Sequence, residues 1–364
     1  MINAFSYQEP VNIHFGYGKA NEISSVLDEM KAESCVLVSS KSFKERCEKM
    51  MQNENRIKAV FCGVHPNPLL SDCEEITALL KAHKADTVIA LGGGSSIDAS
   101  KFAAACAYSS ISPAEHYKAP AFPEKTAKIL AIPTTSGTGS EVTKVAVISH
   151  GNEKKSIHNP AFMPDACIVD PELTMSVPAK LTMITGIDAF THAIEAYWSV
   201  NHQPITDTFA TESIRLILAN LEKAYTDGDK ESRTNMAYAS LLAGLAFSVA
   251  KTGASHACSF SLSAYYHLPH GEACAFTLDS LIRINSDERL QALAKNVGMK
   301  DTEELAQKVS CFKNIAGLAT KISDLGDNVD IEKLAFEGAN HPLMLNNPIK
   351  LSESQLKEMY ENLR

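Results

Sequence analysis

The sequence predicts an α/β domain over 1–177 followed by an all-α domain over 178–364. Three observations carry this reading. At 364 residues the chain exceeds the usual size of one domain. Its first half alternates short β-rich apolar runs with polar, helix-compatible stretches, the grammar of βαβ units. Past Val169-Asp170-Pro171 the strand signals stop, and long Ala- and Leu-rich helical patterns take over.

In chain order, Gly16-Tyr17-Gly18 gives only GxGxxN after no convincing strand, so it reads as a turn. The runs 35–38, 58–61, 87–91 and 129–132 read as strands, with helical stretches such as 42–53 and 71–82 between them. Short apolar runs joined by helices imply a parallel sheet covered on both faces. Pro178 suits the first turn of a helix and sets the boundary at Val177/Pro178. The closing stretch 343–364, with Asn346-Asn347-Pro348, reads as a loop leading into a charged helix.

Composition is that of a soluble globular chain, 45% hydrophobic and 21% charged. A net charge of −9 with no basic run excludes a nucleic-acid stripe. No apolar stretch of about 18 residues occurs, and the start lacks the regions of a signal peptide, so a cytoplasmic protein without membrane contact is expected. The nine cysteines are scattered and form no C-x-x-C pair, which fits reduced thiols and neither a disulfide framework nor a zinc ribbon. Cys258 and Cys274 read as packing residues.

Two loops follow strands. The run 87–91 leads into Gly92-Gly93-Gly94-Ser95-Ser96-Ile97-Asp98 and then a helical pattern. Glycines let the backbone approach a ligand, a helix N-terminus favours phosphate, and Ser95 with Asp98 resembles a capping box. Alone, such a loop reads equally well as a tight connection. The run 129–132 ends in a second loop, Pro133-Thr134-Thr135-Ser136-Gly137-Thr138-Gly139-Ser140-Glu141, dense in hydroxyls. Two such loops at neighbouring strand ends fit a nucleotide crevice at the carboxyl edge of a parallel sheet.

The helical half carries Gly186-Ile187-Asp188-Ala189-Phe190-Thr191-His192-Ala193-Ile194-Glu195-Ala196-Tyr197. Asp188 and His192 at helical i, i+4 spacing leave one face, where a single cation could bridge them, although a cap and a core histidine would show the same spacing. With His256 and His270 they offer nitrogen and carboxylate donors suited to Fe²⁺, Zn²⁺, Co²⁺ or Mn²⁺ rather than Mg²⁺.

These stretches, in this order, resemble the iron-containing (group III) alcohol dehydrogenases, as do Gly63-Val64-His65-Pro66-Asn67-Pro68 and Pro160-Ala161-Phe162-Met163-Pro164-Asp165-Ala166. The resemblance spans nearly the whole chain. It implies a dehydroquinate synthase-like architecture, with an α/β nucleotide-binding domain, a helical domain and the active site in the cleft between them. It further implies metal ligands at Asp188, His192, His256 and His270, with Fe²⁺ or Zn²⁺ as the ion, and a homodimer. Cofactor contacts would fall on Asn67, Gly93, Gly94, Ser95, Asp98, Thr134, Thr135 and Thr138, with Lys154 near the cofactor ribose.

Two departures matter. Where relatives preferring NADH carry an Asp, Ser40 stands, beside Lys41; this favours NADPH or dual use, unless the ribose is held elsewhere. Phe260 stands where many relatives carry a further histidine, which leaves His267 as a candidate for proton transfer or as an ordinary loop residue. The expected reaction interconverts a small aldehyde and its primary alcohol. The run from His256 to Leu262 has some likeness to the branch that reduces phosphonoacetaldehyde to 2-hydroxyethylphosphonate. A dehydroquinate synthase-like lyase and a non-catalytic nucleotide-binding protein are the alternatives.

Overall fold

The computed structural model describes residues 4–8, 10–123, 127–151 and 153–364. The chain divides into two compact units: Gln8–Thr135 with Gly139–Ser176, and Val177–Arg364 with Ser136–Thr138 and the start of the chain through Tyr7.

In the first unit the strands are β1 (Asn12–Phe15), β2 (Cys35–Val38), β3 (Ile57–Phe61), β4 (Thr87–Gly92), β5 (Lys128–Pro133), β6 (Val145–His150), β7 (Glu153–His158) and β8 (Ala166–Val169). The helices between them are α1 (Ile23–Glu29), α2 (Lys44–Asn53), α3 (Leu70–Ala82), α4 (Gly94–Cys106) and α5 (Pro113–Lys118). Six strands form one parallel sheet in the order β1-β8-β5-β4-β2-β3. Strand residues alternate between two cores, as the period of two requires. Val36, Val38, Val88 and Ile129 join Ile76, Leu80 and Phe102 of α3 and α4 on one face, and Leu37, Ile89, Leu91 and Leu130 join Val26 and Leu27 of α1 on the other. Both faces are therefore covered, as parallel strands need.

The strand order reverses between β2 and β4, because the chain leaves β2 for β3 on one side and returns to β4 on the other. Crevices at such switch points take ligands. The carboxyl ends of β2, β4 and β5 lie side by side there, with Val38 opposite Ala90 and Gly92 opposite Pro133.

Three sequence expectations need correction. Gly16-Tyr17-Gly18 does follow a strand, the edge strand β1, whose largely exposed Asn-Ile-His-Phe lacks the apolar signature of the interior strands. The hairpin β6–β7 and strand β8 are further strands that the sequence pattern does not predict. Ser95 and Asp98 form no capping box, because α4 begins at Gly94 with Gly93 at its N-cap and no side-chain cap.

The second unit contributes α6 (Ala179–Trp198), α7 (Pro204–Thr226), α8 (Lys230–Ala250), α9 (Ala254–Tyr266), α10 (His270–Ile284), α11 (Glu288–Asn296), α12 (Thr302–Ile315), α13 (Ile331–Asn340) and α14 (Glu353–Glu361). Helix α6 is buried almost throughout from Thr182 to Trp198, the mark of a central helix apolar on every side. No helix among the described residues is long and apolar enough to cross a membrane.

Candidate metal centre and phosphate loops

Asp188 and His192 lie one turn apart on α6, His256 in the first turn of α9, and His270 at the first position of α10. The structure brings Asp188, His256 and His270 into one donor group, and His192 meets that group at His256. Asp188 Oδ1 is 4.0 Å from both His256 Nε2 and His270 Nε2, and His192 Nε2 is 3.0 Å from His256 Nε2. Asp188, His192 and His256 are buried, whereas the His270 side chain keeps 36% of its exposure and forms the open side.

Close packing of backbone sets these distances. A Cβ on Gly271 would run into Ile184 O and lie 3.0 Å from the Asp188 Cβ, so only glycine lets α10 start against α6. At Gly137 a Cβ would meet Thr185 O at 2.7 Å, and the Gly137 carbonyl thereby reaches His192.

The hydrogen bonds fix which ring nitrogens face inward. His192 Nδ1 donates to Gly137 O at 3.2 Å, and His256 Nδ1 donates to Glu195 Oε2 at 2.6 Å. Both partners only accept, so each Nδ1 carries its proton and each Nε2 presents a lone pair. Two lone pairs 3.0 Å apart repel unless a cation lies between them. A proton can serve in part. Burial alone would lower His256, but Cys274 and Glu195 outweigh it and hold the ring well above the usual histidine range. His192 is pushed well below that range by burial and by the charges of His256 and His270. A divalent ion answers the same demand with all four ligands at once, and a carboxylate with three imidazoles is a donor set that transition ions favour.

Two residues beyond the expected set belong to this cluster. Glu195, one turn past His192, also accepts from the backbone N–H groups of Gly253 at 2.8 Å and Ser255 at 2.6 Å, which locks the start of α9 as well as the His256 tautomer. Cys274, expected as a packing residue, has its Sγ within 4.8 Å of the Asp188, His256 and His270 donors. Its i+4 spacing from His270 was the signal that could have found it. His267 is exposed in the left-handed region (φ 56°) at the end of α9 and stands outside the donor group. Phe260 lies one turn after His256 on α9, and its ring stacks on His341 with centroids 4.6 Å apart.

In the α/β unit, Gly93 precedes α4, and Gly94 and Ser95 form its first turn, half-buried at the carboxyl end of β4. A Cβ on Gly93 would lie 3.3 Å from Thr135 Oγ1, and Thr134 N–H donates to Gly92 O at 3.0 Å, so the two loops run in contact. Thr138 is grouped with the helical unit. A buried network clamps the loops from below. Lys101 Nζ donates to Ser140 Oγ at 2.8 Å, Thr143 Oγ1 at 3.2 Å and Val145 O at 3.0 Å, while Asp98 accepts from Ser140 Oγ and Val147 N–H. Asp98 thus holds loop and hairpin together from inside α4. Burial pulls Lys101 down to about 8 against Asp98 and Glu141, and pushes Glu141 up to about 7. Ser40 follows β2 with its hydroxyl on Ser42, and Lys154 Nζ donates to Asn67 Oδ1 at 2.9 Å, which unites two expected contacts on the rim.

Comparison with known proteins adds independent findings. The family model for the iron-containing alcohol dehydrogenases matches residues 10–171, and that for the C-terminal part of the same family matches 182–363. The chain is 32% identical to long-chain-alcohol dehydrogenase 1 of Geobacillus thermodenitrificans over 96% of this chain and 94% of that one. It is 35% identical to the NADPH-dependent butanol dehydrogenase of Clostridium saccharobutylicum over 82% of each. Among solved structures it is similar to sulfoacetaldehyde reductase from Bifidobacterium kashiwanohense in complex with NAD⁺, with 37% identity, a TM-score of 0.94 and 99% of each chain covered.

Proposed function

Because this chain belongs to the iron-containing alcohol dehydrogenase family, we propose that it reduces a small anionic aldehyde, a two-carbon sulfonate or phosphonate, to its alcohol with NADPH or NADH. The observation that carries the metal-dependent reading is the pair of inward-facing Nε2 atoms of His192 and His256, each fixed by an acceptor on its Nδ1.

Asp188, His192, His256 and His270 would hold one Fe²⁺, with Zn²⁺ as a substitute. Such an ion supplies Lewis acidity at the substrate oxygen, and the nicotinamide supplies the hydride. The chain's own groups position and exclude. Gly137 O and Glu195 orient two imidazoles, and the burial of Asp188, His192 and His256 keeps water from three of the four ligands. Gly93, Gly94 and Ser95, with the N-terminus of α4, would take the pyrophosphate, and Thr134, Thr135 and Thr138 the nicotinamide side. Ser40 offers no carboxylate to repel a 2′-phosphate, and Lys41 is exposed beside it, which supports NADPH. The NAD⁺ in the sulfoacetaldehyde reductase supports NADH as a second cofactor.

The anionic class rests on the 37% identity to that reductase and on the run from His256 to Leu262. The test is a panel of butanal, sulfoacetaldehyde and phosphonoacetaldehyde assayed with NADH and NADPH on Fe²⁺- and Zn²⁺-loaded protein. Highest kcat/KM on an anionic aldehyde is expected; a preference for butanal would refute the anionic class, and no nucleotide consumption on any aldehyde would refute the reductase.

A further inference from the structure

We infer that His341 is a specificity-determining residue whose Nε2–H donates a hydrogen bond to the anionic head group of the substrate. The inference rests on the anionic-aldehyde reading above and adds the residue that recognises the charge.

His341 reaches α9 from a distant element. It joins the end of α13 to a short helical turn, Pro342–Asn346, and α13 lies on α9, where a Cβ on Gly338 would be 3.2 Å from Cys258 Sγ. The ring stacks on Phe260, tilted by 24°. Phe260 and His256 share a face of α9 one turn apart, and the His341 ring that stacks on Phe260 lies close enough to His256 to feel its charge.

Its tautomer is set by the backbone. The Leu343 N–H donates to His341 Nδ1 at 3.3 Å, so Nδ1 accepts and the ring proton sits on Nε2. That Nε2–H has no protein partner among the described residues. Burial, aided by the charge of His256, keeps the ring below the usual histidine range and hence neutral. A half-buried ring, stacked on one face, capped at Nδ1 and holding a spare donor, is preorganised for an acceptor of its own. Sulfonate and phosphonate heads both present charged oxygens, and a hydrogen bond to a charged group contributes on the order of 10- to 100-fold in binding.

The test compares wild type, H341F and H341Q as metal-loaded holoenzymes. H341F keeps the aromatic stack and removes the donor; H341Q returns an amide N–H on a side chain of similar reach. For H341F, the KM of sulfoacetaldehyde and phosphonoacetaldehyde should rise about tenfold or more, and their kcat/KM relative to butanal should fall by a similar factor. H341Q should recover part of that loss. Equal losses on all three aldehydes, or a fall in kcat with KM unchanged, would overturn the inference. A wild type that turns over butanal alone refutes the substrate class instead. Inhibition of butanal reduction by ethanesulfonate then still reads the residue: an inhibition constant raised about tenfold in H341F supports a donor to anions, and an unchanged constant overturns it.

Discussion

Glu195 illustrates how a residue outside the ligand set controls it. Its carboxylate holds the His256 Nδ1 proton and two backbone N–H groups at the start of α9, so a glutamine in its place keeps the shape but loses the charge. We expect E195Q to weaken metal affinity by about 10- to 100-fold, read by competition with a chelating dye; unchanged affinity would mean that His256 orients without it. Glu141 gives a prediction of opposite sign to the usual carboxylate. Its Oε2 is buried without a hydrogen-bond partner among the described residues, and burial lifts its pKa to about 7. A carboxyl raised on folding contributes stability that is full below its unfolded value, near 4.5, and lost as pH rises through 7. Glutamine at this position imitates the neutral acid. Between pH 5 and pH 8 wild type should therefore lose up to about 3 kcal/mol relative to E141Q in urea unfolding; a pH-independent difference between the two would contradict this.

Helix starts supply half of the donor cluster and the body of α6 the other half. His256 and His270 occupy the first turns of α9 and α10, and α10 can begin there because Gly271 lets backbone meet backbone at Ile184. Alanine at 271 should push α10 away from α6. Metal content should fall well below that of wild type while far-UV circular dichroism stays helical, and a fully loaded Gly271→Ala protein would show that the contact has slack. The same elements mark what could be read in advance. Helical spacing alone pairs Asp188 with His192, donor type adds His256 and His270 as candidates, and the family pattern makes the four one expected ligand set. Cys274 reads in the sequence as a packing residue despite its i+4 spacing from His270, because thiol chemistry needs surroundings that one helix does not supply. His341 gave no local signal at all, since it meets Phe260 only through the packing of α13 on α9. Interior strands β2, β4 and β5 are legible from continuous apolar runs buried on both faces; β1 is largely exposed and β6 belongs to a two-stranded hairpin sheet, so neither shows such a run.

Across the whole molecule, the order of strand-rich and helical segments predicts a division near Val177, and the compact units divide at Ser176/Val177 with Ser136–Thr138 crossing over. What sequence order could not supply is the return of Ser136–Thr138 to the helical unit, where Gly137 O holds His192. Metal should stabilise that unit by mass action, because an ion bound only by the native state raises stability as RT ln(1 + [L]/Kd). Chelation should lower the melting temperature of wild type and leave that of Asp188→Ala unmoved; equal shifts in both would point to metal bound elsewhere. The most direct test of the account is metal stoichiometry after anaerobic Fe²⁺ loading and desalting. About one ion per chain is expected for wild type and almost none when Asp188 and His270 are both alanine. Equal metal in the two proteins, or none in wild type, would contradict a four-ligand centre at Asp188, His192, His256 and His270.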